Sequence, residues 1–135
     1  MSCGEAEDQE DGERCSRADI GCFSPEWSVS GVRYTVSLTE AVPTLPERGV
    51  NQWRVSLSEM RSGELIDQCQ IILTPYMPDH GHGSPLTPSV TPLSDGIYLI
   101  EEIAFTMPGL WEMRFDVSCD QEDQESLIYP FWLEA

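Results

Sequence analysis

The chain has 135 residues, a length that suits one domain with a single buried core and a short tail. Its 24 acidic residues outnumber its 7 basic residues, all arginines, and give a formal net charge of −17 at pH 7. Such a charge argues against binding to nucleic acid or to anionic membrane surfaces, because both require clustered cations. It is compatible with the attraction of cations, although solubility is its more ordinary role. The sequence contains no apolar run of about 18 residues, so no membrane-spanning helix is predicted.

The first 22 residues form an acidic segment that is poor in aliphatic side chains, and we predict a flexible tether there. Cys3 is followed by Gly4 and a polar stretch, which resembles the mature start of a bacterial lipoprotein, where that cysteine carries the lipid. This interpretation requires Met1 and Ser2 to be additions ahead of the mature start. The alternative is a free thiol in a flexible tail.

From Trp27 onward the sequence alternates with a period of two, and no window shows a sustained helical period. The predicted strands are 32–38, 53–58, 68–73, a proline-interrupted edge strand at 87–91, 97–105, 111–117 and 127–133. The predicted turns and loops are 41–49, 61–64, 76–86, 94–96, 106–109 and 120–125. Seven or eight short strands at this spacing indicate an all-β, immunoglobulin-like antiparallel β-sandwich over residues 23–135.

Because consecutive strands run antiparallel, loops 41–49, 76–86 and 106–109 are predicted to share one pole of the sandwich. The remaining turns share the other pole, where Cys69 and Cys119 both have the parity of inward-facing residues.

The cysteine count, 5 in so short a chain, favours an oxidising compartment. With Cys3 set aside, the other four cysteines allow three pairings. We favour Cys69–Cys119 together with Cys15–Cys22. The last two also enter near the Cys69 pole, so the other pairings stay open.

The segment Tyr76–Ser84 contains both histidines of the chain, His80 and His82, one residue apart. In an extended segment, residues i and i+2 project to the same side, so the two imidazoles can reach one ion. Met77 can add a thioether from the same segment. Imidazole combined with thioether favours copper, and the sulfur favours Cu(I) over Cu(II).

Two further residues complete the predicted metal site. Asp79 can supply an oxygen to Cu(II), or accept a hydrogen bond that fixes a histidine tautomer. Met107 lies in a turn at the same predicted pole and can supply a second thioether. The alternative is an ordinary polar loop, with Met77 and Met107 packing at the rim of the core.

No catalytic arrangement is predicted. Both histidines lie on one loop, and no serine or cysteine motif marks a nucleophile. Glu101 and Glu102 are expected on opposite faces of a strand, so they are not an acid–base pair. The acidic runs lack the glycine and spacing of a calcium loop, and zinc requires a fuller ligand set than this loop offers. We therefore predict a binding protein, not an enzyme.

The segments Tyr76-Met77-Pro78-Asp79-His80-Gly81-His82-Gly83, Gly96-Ile97-Tyr98 and Phe105-Thr106-Met107-Pro108-Gly109-Leu110-Trp111 together resemble the YtkA-like family. The resemblance covers roughly residues 70 to 118. It implies a small β-sandwich domain of a bacterial envelope protein, related to FixH-type and copper-handling modules. His80 is a departure from the family's loop and adds a further potential ligand.

Together these features predict a monomeric protein of the bacterial cell envelope, either a periplasmic or surface lipoprotein anchored through Cys3 or a secreted protein. It would bind a copper ion, Cu(I) or Cu(II), for sequestration, chaperoning or delivery, and would exchange it with a copper donor or acceptor protein. The alternative is a structural or protein-interaction module of the envelope that binds no metal.

Overall fold

The computed structural model describes residues 17, 19–120 and 124–134. These residues form nine β-strands. The strands are β1 (Ser28–Ser30), β2 (Tyr34–Val42), β3 (Gly49–Glu59), β4 (Gln70–Met77), β5 (His82–Gly83), β6 (Ser89–Pro92), β7 (Ile97–Phe105), β8 (Gly109–Ser118) and β9 (Gln124–Leu133). Within the described ranges, no helix is long and apolar enough to cross a membrane.

The strands form two antiparallel sheets, one ordered β1-β2-β3-β7-β6 and the other β5-β4-β8-β9. If β2, β3 and β4 are taken as strands A, B and C of an immunoglobulin domain, the two sheets have the A-B-E-D and C-F-G orders. The predicted immunoglobulin-like sandwich is therefore confirmed. The strand count exceeds the prediction because the short strands β1 and β5 join the edges.

The alternation predicted for Glu101 and Glu102 is wrong, because β7 contains a bulge at these residues. The register moves from Trp53↔Ile100 to Asn51↔Ile103, so two residues of β7 oppose one of β3. Glu102 has a φ of 63°, and both carboxylates are exposed while Ile100 and Ile103 are buried.

The core lies between the sheets and is rich in aromatic rings. Trp27 stacks on Tyr129 with ring centroids 4.5 Å apart, and Phe105 meets Trp111 edge to face at 5.0 Å. The side chains with the largest volume that are fully buried are Trp53, Trp111, Tyr98, Phe105, Phe115, Phe131, Leu57, Leu73, Met77, Ile100, Ile103 and Met113. The inward faces of β2, β3, β4, β7, β8 and β9 supply most of the core, whereas the edge strand β6 contributes no fully buried side chain.

One pole of the sandwich is closed by a disulfide between Cys69 and Cys119, whose Cα atoms lie 4.3 Å apart. This confirms the predicted pairing. Tyr98 secures the same pole, because its hydroxyl accepts a hydrogen bond from the Cys69 backbone N–H and donates one to the Ile66 carbonyl. The Gly-x-Tyr motif that ends in Tyr98 therefore has a structural role, because its tyrosine joins β7 to the segment before β4.

The segment before β1 runs beside the end of β9. The backbone N–H of Trp132 donates to the Gly21 carbonyl at 2.8 Å, and Cys22 forms a parallel bridge with Trp132. Cys22 is disulfide-bonded. The predicted partner Cys15 and the predicted lipid anchor Cys3 lie outside the described residues.

Candidate metal centre

The two histidines lie on a hairpin that joins β4 to β5. Met77 pairs with His82, so the hairpin loop is only Pro78–Gly81. The Met77 carbonyl accepts hydrogen bonds from the backbone N–H of His80 (3.1 Å) and Gly81 (2.9 Å). Gly81 has a φ of 67°, a conformation that a glycine adopts without strain. The loop is therefore short and internally bonded, which limits how far the histidines can separate.

His80 and His82 are exposed, and their ring centroids lie 5.6 Å apart with the planes tilted by 34°. With a metal–nitrogen bond of about 2.1 Å, each coordinated ring centroid lies roughly 3.2 Å from the ion, so two rings on one ion can be up to roughly 6.4 Å apart. The observed separation falls inside this limit. Nδ1 of His82 lies 3.2 Å from the Gly83 carbonyl oxygen, and when it donates there, Nε2 presents its lone pair outward.

Met77 differs from the histidines, because its side chain is completely buried. Residues directly opposite each other on antiparallel strands project to the same side, so Met77 and His82 share one face of the sheet. The terminal methyl group of Met77 lies against Gly109, where an added Cβ would stand 2.9 Å from it. Met77 therefore joins the hairpin to the turn before β8.

Met107 lies in that turn and is half-buried against the core. Its carbonyl accepts a hydrogen bond of 3.0 Å from the indole N–H of Trp111, which is itself completely buried. The fixed indole holds the backbone of Met107 in place while its side chain stays at the rim. The turn thus lies at the same pole as the histidine hairpin, as strand direction predicts.

Asp79 is exposed at the tip of the hairpin and interacts electrostatically with Arg17. The pKa of Arg17 is raised, first by its hydrogen bond to Asp19 and to a smaller extent by the charges of Asp19 and Asp79. The Arg17 guanidinium lies over the Trp132 ring at 5.1 Å. The segment before β1 therefore carries a cation whose charge acts on the hairpin, an interaction that the sequence did not reveal.

Among residues 17, 19–120 and 124–134, no three histidine, cysteine, aspartate or glutamate side chains are grouped closely enough to hold an ion. A metal centre at this pole therefore depends on the two imidazoles together with methionine sulfur. That donor set matches copper better than zinc, which prefers four nitrogen, cysteine or carboxylate ligands.

The fold and this pole define a small immunoglobulin-like β-sandwich domain that carries histidines and methionines on neighbouring loops. The family model of the YtkA-like proteins matches residues 30–116, and the chain belongs to that family. No curated protein sequence matches it.

Solved structures share the fold at low sequence identity. A DUF4426 family protein from Pseudomonas aeruginosa PAO1 has a TM-score of 0.56 at 10% identity, covering 81% of this chain and 97% of that one. FetP of uropathogenic Escherichia coli strain F11, expressed in the periplasm of E. coli, has a TM-score of 0.55 at 14% identity, with 81% and 93% coverage. A copper-bound variant of this FetP has a TM-score of 0.55 at 11% identity, with 81% and 95% coverage.

Proposed function

We propose that this protein binds a copper ion in the bacterial cell envelope, for sequestration, chaperoning or delivery to a partner protein. His80 and His82 supply the imidazole ligands, and the turn at 106–109 supplies a thioether through Met107. The observation that carries this proposal is the 5.6 Å separation of the two exposed rings, on a hairpin whose Met77 packs against the turn that follows Met107. The copper-bound FetP variant with the same fold adds support.

The chain itself determines how the site would work. The short hairpin keeps the two imidazoles close together, and the Trp111–Met107 hydrogen bond fixes the backbone of the turn that would supply the thioether. Copper, when bound, would accept nitrogen and sulfur lone pairs from these side chains. Because Met77 is buried and contacts Gly109, Met107 is the more accessible sulfur donor and Met77 the donor beneath it. Asp79 does not group with the two histidines in this structure, so its proposed role as an oxygen donor to Cu(II) requires the hairpin loop to rearrange.

An envelope location is part of the proposal. The disulfide between Cys69 and Cys119 supports it, because disulfides form and persist in oxidising compartments. A lipid on Cys3 would tether the domain to a membrane. A binding role without catalysis is supported by the arrangement of the histidines, since both lie on one exposed hairpin with no nucleophile motif beside them.

The proposal is tested by titrating the purified protein with Cu(I) and with Cu(II), each in competition with a chelator of known affinity. We expect one equivalent to bind to the wild type and at least a tenfold loss of affinity in a His80→Ala/His82→Ala variant. Unchanged affinity in that variant would remove the hairpin from the site. Absence of binding to the wild type would favour a metal-free interaction module.

A further inference from the structure

Strand β4 has an edge that is largely unpaired. It pairs with β8 from Gln70 to Tyr76 on one side, but with β5 only at Tyr76 and Met77 on the other. In the part of the chain that the structure describes, no strand pairs with the outer edge of residues 70–75. The Pro75 carbonyl lies against Gly83, and β6 of the other sheet lies near this edge, so the outward backbone N–H and C=O groups of the residues before Pro75 are the ones without a strand partner.

The other sheet edges are short, interrupted or covered. Strand β1 has only three residues, and β6 is bounded by Pro88 and Pro92. Strand β9 contains Pro130, and Gly21 accepts the backbone hydrogen bond of Trp132 beside it. Proline, short length and a covering segment are the usual means of preventing an edge from pairing with another chain.

The free edge of β4 lacks such protection until Pro75. Residues Gln70–Thr74 read Gln-Ile-Ile-Leu-Thr, an uncharged stretch with strong β-propensity, in a chain that has 24 acidic residues. Ile72 projects from it with 47% of its surface exposed. Arg114, which pairs with Thr74 in the sheet, is bound to Glu112 at 2.6 Å. The edge is therefore apolar and uncharged at its centre.

We infer that residues 70–75 of β4 bind an extended segment of a protein partner by strand addition, and that the segment carries basic side chains. Strand addition supplies main-chain hydrogen bonds, and Ile72 supplies an apolar contact. The exposed carboxylate of Asp116 lies next to Ile72 across the β4–β8 pair, and Asp67 precedes the strand, where it accepts a hydrogen bond from the Gly96 N–H. A second copy of the chain would bring another net charge of −17 to this edge, whereas a basic segment is attracted to it.

The test uses two synthetic octapeptides, one alternating valine with lysine and one alternating valine with glutamate. We expect the lysine peptide to slow hydrogen exchange at least tenfold at those amides of residues 70–74 that point away from β8, and the glutamate peptide to have no effect. Ile72→Lys should weaken binding of the lysine peptide at least tenfold. Ile128→Lys is the matched control, because Ile128 is also 47% exposed but lies on β9, and this variant should bind like the wild type.

Equal binding of both peptides, or equal weakening by both substitutions, would overturn the inference. Protection of these outward amides without peptide, together with dimers in sedimentation, would assign the edge to a second copy instead. Circular dichroism establishes that both variants fold. Copper titration of the Ile72→Lys variant separates this edge from the histidine pole, since its copper affinity should be unchanged.

Discussion

The methyl group of Met77 lies against the backbone of Gly109, so closely that a Cβ on Gly109 would stand 2.9 Å from it. This contact joins the histidine hairpin to the turn that carries Met107, although 32 residues separate Met77 from Gly109 in sequence. It explains why a glycine follows Met-Pro in the Met107–Trp111 motif. The two loops therefore form one packed unit at this pole.

Substitution of Gly109 tests that unit. Gly109→Ala should lower the free energy of unfolding by about 2–4 kcal/mol, because it adds a close contact with Met77 to the strain of an unfavourable backbone conformation at φ 134°. Gly63→Ala is the control, since Gly63 has a φ of 77° with nothing within 4 Å of the added Cβ, and should cost about 1 kcal/mol. Urea unfolding measures both. Equal losses would mean that packing against Met77 contributes nothing.

The two methionines are expected to differ in copper binding. Met107→Leu should weaken Cu(I) more than Cu(II), because the thioether is a soft ligand. Met77→Leu removes a fully buried sulfur but keeps a side chain of similar volume, so it should change Cu(I) affinity less than Met107→Leu does. Competitive titration with both oxidation states measures these differences. If Met107→Leu weakens both states equally, Met107 is not a ligand.

Glu125 links β9 to the turn before β2 through hydrogen bonds. Its carboxylate accepts hydrogen bonds from the backbone N–H groups of Val32 (2.6 Å), Arg33 (3.1 Å) and Tyr34 (3.0 Å). Glu125→Ala should lower the free energy of unfolding by about 2–3 kcal/mol, because backbone donors lose a charged acceptor.

The exposed Glu101 gives the matched control for that measurement, and Glu101→Ala should change the free energy of unfolding by less than about 0.5 kcal/mol. Chemical denaturation of the two variants side by side checks the difference. A neutral result for Glu125→Ala would show that water replaces the carboxylate at no cost.

Tyr129 should make the stability depend on alkaline pH. Burial raises the pKa of Tyr129 from 10.0 to about 12, and the hydrogen bond that its hydroxyl accepts from Ser24 opposes the rise. Between these values the unfolded chain loses the phenolic proton while the folded chain keeps it. The contribution of Tyr129 to the free energy of unfolding is therefore complete below pH 10 and is lost as the pH rises through about 12.

Across that pH interval, the expected loss in the free energy of unfolding is on the order of 2–3 kcal/mol. Tyr129→Phe should remove most of it, and Tyr98, whose pKa burial also raises, should leave a remainder. Thermal unfolding at several pH values between 9 and 12 measures the slope. An identical slope in Tyr129→Phe would contradict the assignment.

Period-two alternation was sufficient to predict the sandwich, because it places Trp111, Met113 and Phe115 on the inner face. The same parity rule predicted the Cys69–Cys119 disulfide. It failed at Glu101 and Glu102, because a bulge adds one residue and interrupts the alternation. No local pattern distinguishes such a bulge from a regular strand.

The sequence predicted which residues lie at the histidine pole, but not the contacts that they make there. Strand direction placed Met77, His82 and Met107 at one end, and the spacing of Met107, Gly109 and Trp111 could have indicated the turn that the indole closes. Burial of Met77 depends on which loop covers it, so the sequence could not predict which methionine sulfur, that of Met77 or that of Met107, is more accessible. The position of Arg17 beside Trp132 depends on tertiary packing of the segment before β1.

X-ray absorption at the copper edge of the Cu(I)-loaded protein tests the central claim most directly, because it counts nitrogen and sulfur neighbours of the ion. The proposed site predicts imidazole nitrogens with at least one sulfur, loss of the imidazole signal in His80→Ala/His82→Ala, and a smaller sulfur contribution in Met107→Leu. A spectrum without imidazole, or one that is unchanged in the double variant, would contradict a copper site at this pole.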